Sequence, residues 1–219
     1  MRGGDWRRNR AGKAKGKGQR MRRVLEVDLT YPHSYEVEEV REIPGTGKLD
    51  IPVLYFPRPV HRPEHDGLWL RIRAKKGTPW VGVFAFGYAA FSRVVSWADP
   101  ERVCVVARGA AYLVKVDEPE RWERIPVTPV LDIRSAPEHG LLVLADFTKL
   151  AAYGSKGLAW KSPRVCWDEL KIVAVSSDRI EGVGYDPMNL DASRPFAVDI
   201  KTGRSLFPSP VSVDGEPLW

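Results

Sequence analysis

The strongest constraint on the fold is a pattern of short apolar strands that recurs three times between residues 94 and 208. The copies occupy residues 94–126, 130–163 and 172–208. Ala107, Ala145 and Tyr185 hold matching places in them, so the period is about 40 residues. A unit of this size holds three or four antiparallel strands and cannot bury both of its faces alone. We therefore predict an all-β protein whose repeated sheets pack on one another.

The turns inside the repeats carry a second signal. The segments GSKGLAW (154–160) and IKTGRSLF (200–207) each place a glycine in a tight turn, and the following strand ends in an aromatic residue. Glycine supplies the positive φ that hairpin turns need, and the aromatic ring offers apolar surface to a neighbouring sheet. This pattern resembles the repeats of β-propeller proteins, of the quinoprotein-like or WD40-like type.

The resemblance implies short antiparallel strands in a propeller or an incomplete propeller, with few helices. A closed propeller has at least four blades, and three copies are legible here. The resemblance implies no quinone, because a fold does not fix a function, and the sequence shows no cofactor motif. We therefore expect no cofactor.

Residues 24–90 add further strands ahead of the repeats. Alternating or continuous apolar runs occupy residues 24–29, 35–40, 51–56, 68–73 and 80–87. They do not align with the three copies, so they either complete a propeller-like ring or form a β-layer that covers an open edge. We predict one all-β domain over residues 24–219, with repeats at 94–208. Residues 118–124 are the best helical segment, with acidic residues first and basic residues last.

Residues 1–23 form a basic tail. Their net charge is +9 and that of the whole chain is +6, so the remaining residues sum to about −3. The basic side chains are those of Arg2, Arg7, Arg8, Arg10, Lys13, Lys15, Lys17, Arg20, Arg22 and Arg23. Such a segment buries too little apolar surface to offset the entropy of ordering, so we expect disorder.

Two interpretations of this tail stay open. It would hold RNA, DNA or another polyanion through phosphate contacts, without reading sequence. Alternatively it is a solvated leader, or translation begins at Met21 and the first twenty residues are not made.

Several classes of protein are disfavoured. No apolar run reaches the roughly 18 residues of a membrane span, and the N-terminus has no apolar signal region. Cys104 and Cys166 lie in apolar strand-like stretches, as reduced buried thiols do. We therefore expect a cytoplasmic protein that does not contact a membrane.

Candidate catalytic or metal-binding residues are few. His61, His65 and Asp66 fall within six residues and would gather around a divalent cation, but an exposed polar loop is the favoured interpretation. The sequence lacks a G-x-S-x-G elbow, a phosphate-binding loop, a dinucleotide fingerprint and an H-E-x-x-H motif. We therefore predict no catalytic residues.

Carboxylates and tryptophans complete the candidates. Asp146, Asp186 and Asp199 follow strands in successive copies, where they would cap turns or converge on a central channel and bind a cation. Trp167 and Trp219 are the tryptophans best placed for exposure, and exposed tryptophans anchor partner proteins. Trp97, Trp122 and Trp160 occupy repeat positions and are expected in the core.

These observations favour a non-catalytic binding or scaffold protein built on propeller-like repeats. Its partner would be another protein or a second copy, because self-association would cover exposed sheet edges. One alternative is a nucleic-acid-associated protein that uses the basic tail. Another is a hydrolase or lyase on a β-scaffold, which would need the carboxylates or the histidine cluster to meet in a cleft.

Overall fold

The computed structural model describes residues 25–41, 50–58, 66–187 and 193–207, which form β-strands and one turn of 3₁₀ helix, Pro137–His139. The strands are β1 Glu26–Asp28, β2 Tyr35–Glu39, β3 Val53–Phe56, β4 Gly67–Ala74, β5 Trp80–Ala85, β6 Arg93–Ser96, β7 Arg102–Ala107, β8 Ala110–Lys115, β9 Trp122–Ile125, β10 Asp132–Ala136, β11 Leu141–Ala145, β12 Leu150–Gly154, β13 Gly157–Lys161, β14 Asp168–Val175, β15 Arg179–Tyr185 and β16 Arg194–Asp199. The predicted all-β class is confirmed. In this part of the chain no helix is long and apolar enough to span a membrane.

The strands form four sheets, here numbered by their order of packing. Sheet I has the strand order β2-β4-β5-β3, and sheet II has the order β1-β6-β7-β8-β9. Sheet III is β10-β11-β12-β13, and sheet IV is β14-β15-β16. The pairs β1–β6 and β3–β5 are parallel, and the other pairs are antiparallel. Sheets II, III and IV correspond to the three predicted copies, and most of the N-terminal strands form sheet I.

Three apolar layers hold the four sheets together. The layer between sheets I and II includes Phe84 and Tyr112, and the layer between sheets II and III includes Trp97. Trp160 and Phe196 belong to the layer between sheets III and IV. Within the described ranges no such layer joins sheet IV to sheet I, so the sheets form an open, propeller-like arc.

The sequence of each strand reflects its place in this arc. Strand β11 is buried throughout, because Leu142 and Leu144 face sheet II while Leu141 and Val143 face sheet IV. A strand that is covered on both faces needs a continuous apolar run. Strand β14 instead mixes buried and exposed residues, and Val173 is 64% exposed on the last sheet.

The helical segment expected at residues 118–124 is wrong. The chain makes a turn there and then forms β9, which begins at Trp122. The Trp122 ring packs edge-on against Phe56 with centroids 5.7 Å apart, so tertiary packing outweighs the weak local helical preference.

The linkers that carry the chain from sheet I to II, from II to III and from III to IV lie at one end of the arc. In residues 86–92, Ala89 N–H donates to the Arg108 carbonyl, and in residues 126–131, Val130 N–H donates to the Gly109 carbonyl. In residues 162–167, Val165 N–H donates to a carbonyl of the β11–β12 turn. We call this end, comprising residues 86–92, 108–109, 126–131, 146–149 and 162–167, the linker end. The opposite end, with the β6–β7, β12–β13 and β14–β15 turns, is the turn end.

Candidate functional site

Arginine side chains lie over aromatic rings at or beside the linker end. The guanidinium carbon of Arg164 is 4.9 Å from the Trp167 ring centroid, and that of Arg108 is 5.3 Å from the Phe86 centroid. Arg93, which follows the 86–92 linker, lies 5.5 Å from the centroid of another ring in that linker. Arginine and aromatic side chains are common in the binding surfaces of proteins, because both combine large contact areas with directed interactions.

Trp167 is held in a fixed position at the end of the 162–167 linker. Its backbone N–H donates to the Tyr185 carbonyl at 3.1 Å, and its own carbonyl accepts a 2.8 Å hydrogen bond from Arg164 Nη2. Arg164 Nε also donates to the Cys166 carbonyl at 3.1 Å. The Trp167 side chain remains 41% exposed, in agreement with its predicted exposure. The linker therefore presents a fixed aromatic ring with a stacked cation.

The packing below Trp167 fixes the linker to sheets III and IV. Cys166 is buried, and its Sγ lies 3.6 Å from the carbonyl oxygen of Phe147 in the β11–β12 turn. At Gly184 a Cβ would come within 2.3 Å of the Cys166 Cβ, so only glycine permits this approach. Phe147 itself is 48% exposed. Trp167 and Phe147 thus flank this anchored junction. We call Trp167, Phe147 and Arg164 together the Trp167 patch.

A chain of ion pairs joins β1, β6 and β10 where sheets II and III meet. Arg93 pairs with Glu26, and its Nη1 donates to the Ile133 carbonyl at 2.8 Å. Asp132 Oδ1 lies 3.9 Å from Arg93 Nη1, and Asp132 Oδ2 lies 3.1 Å from Arg134 Nη2. The Arg93 hydrogen bond and its charge hold the pKa of Glu26 below its usual value. These contacts tie sheet II to sheet III.

Asp28 adds a second polar contact at this edge. Its Oδ2 accepts a 3.0 Å hydrogen bond from Ser135 Oγ on sheet III. Burial alone would raise the pKa of Asp28, but hydrogen bonds from Thr30 and Ser135 outweigh burial and lower it. Sequence reasoning missed both groups of contacts. The available signal was the polar residues on the first strand of each repeat, such as Asp132.

The three aspartates from the repeats have turn and ion-pair roles. Asp146 accepts hydrogen bonds from the backbone N–H groups of Thr148 and Lys149, both at 2.7 Å. Asp199 accepts from Thr202, which lowers the Asp199 pKa. Asp186 pairs with an arginine on the neighbouring strand at 3.4 Å. Asp146 lies at the linker end and Asp199 at the turn end, so the three carboxylates do not converge on one channel.

The two thiols are buried and free. Burial raises the pKa of Cys104 to about 12, and that of Cys166 also to about 12 with a smaller contribution from the Asp168 carboxylate. A nucleophilic cysteine needs a lowered pKa and access to solvent. The sequence prediction of buried, reduced thiols agrees with this environment.

The remaining predicted residues are mostly beyond the described ranges. His61, His65, Trp219 and the tail (Arg7, Arg8, Arg10, Lys13, Lys15, Lys17, Arg20, Arg22, Arg23) lie outside them. Asp66 is exposed immediately before β4. Among the residues that the structure describes, no three His, Cys, Asp or Glu side chains are grouped as metal ligands. The metal-site hypothesis at residues 61–66 therefore stays a prediction.

Comparison with known proteins gives two weak structural likenesses. Neither a protein-family model nor a curated protein matches the chain. The solved structure of dihydro-heme d1 dehydrogenase NirN in complex with DHE is 18% identical over 68% of this chain, with a TM-score of 0.45. The present chain spans 33% of that protein chain. A chain from the S. cerevisiae complex of Dbp5 with Nup159, Gle1, IP6 and ADP is 8% identical over 86% of this chain and 70% of its own, with a TM-score of 0.25.

Proposed function

We propose that the protein is a non-catalytic binding protein whose linker end holds a protein partner. The supporting observation is the Trp167 patch, where a half-exposed tryptophan is fixed by backbone hydrogen bonds and a stacked arginine. Tryptophan and arginine supply a large share of the binding free energy in protein interfaces. A side chain that is already ordered loses little further conformational entropy on binding.

Other exposed aromatic residues lie at the same end. Phe147 is 48% exposed, Phe86 is 38% exposed and Tyr88 is 98% exposed. A single exposed apolar residue is ordinary on a protein surface. Several aromatic residues on short linkers at one end, next to arginines, are more typical of a protein-binding surface.

The experiment uses the full chain as bait in material from its native source. We expect Trp167→Ala to lose most of the captured partner, because the anchor is removed while the buried residues below it remain. Leu158→Ala is the matched control, since Leu158 is 50% exposed near the turn end. Equal capture by the wild type and both variants would contradict the proposal.

Self-association through sheet IV is an alternative to a partner bound at the linker end. Sheet IV is the last sheet of the open arc, and its residue Val173 is 64% exposed. A second copy packed there would remove apolar surface from water. Light scattering at micromolar concentration would then give a dimer or larger species, and Val173→Glu would return it to a monomer. A monomeric wild type would restrict the partner to another protein.

The basic tail supports a second candidate function, polyanion binding. Residues 1–23 carry a net charge of +9, which favours phosphate contacts that release counterions. The test compares binding of single-stranded RNA by the full chain and by a variant lacking residues 1–20, at two salt concentrations. Salt-sensitive binding that disappears with the deletion supports this function, whereas binding that survives it would assign the polyanion to other residues.

The proposed location is the cytoplasm. The unpaired thiols of Cys104 and Cys166 support it, because reducing compartments keep thiols free. Fractionation of native cells tests this location, and recovery of the protein in a secreted fraction would contradict it.

A further inference from the structure

A pocket of about 550 Å³ opens at the linker end between sheets I and II. Leu25, Leu68 and Phe91 supply apolar wall, and Phe86 and Arg108 also line it. Small-molecule sites commonly have volumes of about 300–1,000 Å³ and combine apolar walls with a few polar groups. The pocket therefore has the size and lining of a ligand site.

The two carboxylates that line this pocket each have an arginine partner, whereas the arginine that lines it has no carboxylate partner among the described residues. Of the two carboxylates that line it, Glu26 pairs with Arg93, and Glu39 accepts a 2.9 Å hydrogen bond from Arg41. Arg108 has no carboxylate partner among the described residues, and its guanidinium lies over the Phe86 ring. Among the described residues that line the pocket, the positive charge without a carboxylate partner is therefore that of Arg108.

The backbone holds Arg108 in a conformation that arginine rarely adopts. Arg108 and Gly109 form the β7–β8 turn with φ values of 46° and 86°. Two-residue hairpins with positive φ at both positions favour asparagine or glycine, so the first position is strained by arginine. Strained residues persist where surrounding contacts fix them, and they cluster at ligand sites.

The 86–92 linker supplies those fixing contacts. Ser92 Oγ accepts a 2.9 Å hydrogen bond from the Arg108 N–H, and the Arg108 carbonyl accepts one of 2.9 Å from the Ala89 N–H. At Gly87 a Cβ would lie 2.6 Å from the Arg108 carbonyl oxygen, so the linker can approach only with glycine there. The linker thus fixes Arg108 at the edge of the pocket.

We propose that this pocket binds a small organic anion, whose carboxylate or phosphate accepts hydrogen bonds from Arg108 while its apolar body occupies the pocket. A guanidinium binds such groups through two parallel hydrogen bonds, and stacking on Phe86 leaves its edge available for them. The pocket is on the same linker end as the proposed partner surface but shares no residue with the Trp167 patch. The anion test uses Arg108 and the capture test uses Trp167, so the failure of one is distinguishable from the failure of the other.

The test measures calorimetric binding of phenyl phosphate, benzoate and the cation benzamidine to the full chain. We expect both anions to bind the wild type, and Arg108→Gly to weaken the better anion at least about tenfold. Comparison of phenyl phosphate with benzoate distinguishes a phosphate ligand from a carboxylate ligand. Benzamidine should show no preference for the wild type.

The glycine variant separates a binding role from a folding role. Because glycine relieves the positive φ at residue 108, the melting temperature should stay within about 3 °C of the wild type or rise. Arg121→Ala, which removes a 64%-exposed side chain near the turn end, is the matched control and should bind both anions normally. Equal anion binding by the wild type and Arg108→Gly, or no binding of either anion at about 10 mM, would overturn the proposal.

Discussion

The Arg164 guanidinium lies 4.9 Å from the centroid of the Trp167 ring and donates a 2.8 Å hydrogen bond to the Trp167 carbonyl. One arginine therefore fixes both the ring and the backbone of the residue that we propose as the main anchor. Arg164 also donates to the carbonyl of the buried Cys166, the residue before Trp167. Arg164 therefore contacts both the exposed Trp167 and the backbone of a buried residue.

Replacing Arg164 by alanine should weaken partner binding more than folding. The variant loses the stacking contact and two hydrogen bonds, so we expect partner affinity to fall about tenfold and unfolding free energy to fall by about 1 kcal/mol. Affinity of the captured complex and urea unfolding measure the two effects. Arg164→Lys keeps the charge but not the planar fork, and it should lie between wild type and alanine. Wild-type affinity in Arg164→Ala would contradict the anchoring role.

Asp132 is expected to be the most sensitive acidic residue of the described fold. It is 8% exposed and lies between Arg93 and Arg134, so Asp132→Ala leaves two guanidinium groups with fewer partners. We predict a loss of about 2–3 kcal/mol in unfolding free energy by urea titration. The control is Glu36→Ala, which breaks an exposed pair with Arg73 and should change stability by less than about 1 kcal/mol. Equal losses in both variants would be inconsistent with a buried network.

Acid should weaken the junction between sheets II and III. The folded pKa values of Glu26 and Asp28 lie below their usual values of 4.5 and 3.8. Their contribution to stability is therefore present above those values and is lost as the pH falls through the folded pKa values. We predict a lower urea midpoint at about pH 3 than at about pH 6. In the Glu26→Gln, Asp28→Asn double variant this difference should shrink; an unchanged difference would assign the acid sensitivity to other groups.

Tyr153 carries a buried hydroxyl that has no hydrogen-bond partner among the described residues. Burial without a partner costs free energy, so Tyr153→Phe should be neutral or more stable by up to about 1 kcal/mol. Tyr31 is the matched control, because its hydroxyl donates a 2.7 Å hydrogen bond to the Leu141 carbonyl. Tyr31→Phe should lose about 1 kcal/mol. Thermal unfolding compares the two, and a destabilised Tyr153→Phe would show that its hydroxyl has a stabilising partner.

The sequence predicted an all-β protein of short antiparallel strands because local apolar runs determine such strands. Strands β7 and β11 have such runs, and the β12–β13 hairpin contains Gly157 at positive φ, as a tight turn requires. The parallel pairing of β1 with β6 could not be predicted in this way. Strand β1 has only three residues, and so short a pattern does not show that Glu26 lies opposite Arg93, which is far along the chain.

The candidate sites were predictable only in part. The exposure of Trp167 was predictable because the tryptophans in the repeat strands are expected in the core and Trp167 is not one of them. The turn role of Asp146 was predictable because aspartate commonly accepts hydrogen bonds from backbone N–H groups in turns. The ion pairs of Asp132 and the free charge of Arg108 depend on how separate sheets meet. An Arg-Gly dipeptide between two strands signals a turn, but the strain appears only in the φ angle.

The most direct measurement is covalent footprinting of the captured complex beside the free protein. If the linker end is the binding surface, partner binding should protect Trp167, Phe147 and Tyr88 from labelling while Leu158 and Val173 label as before. Protection confined to Leu158 or Val173, with Trp167 and Phe147 still labelled, would contradict the assignment and place the interface at the turn end or on sheet IV.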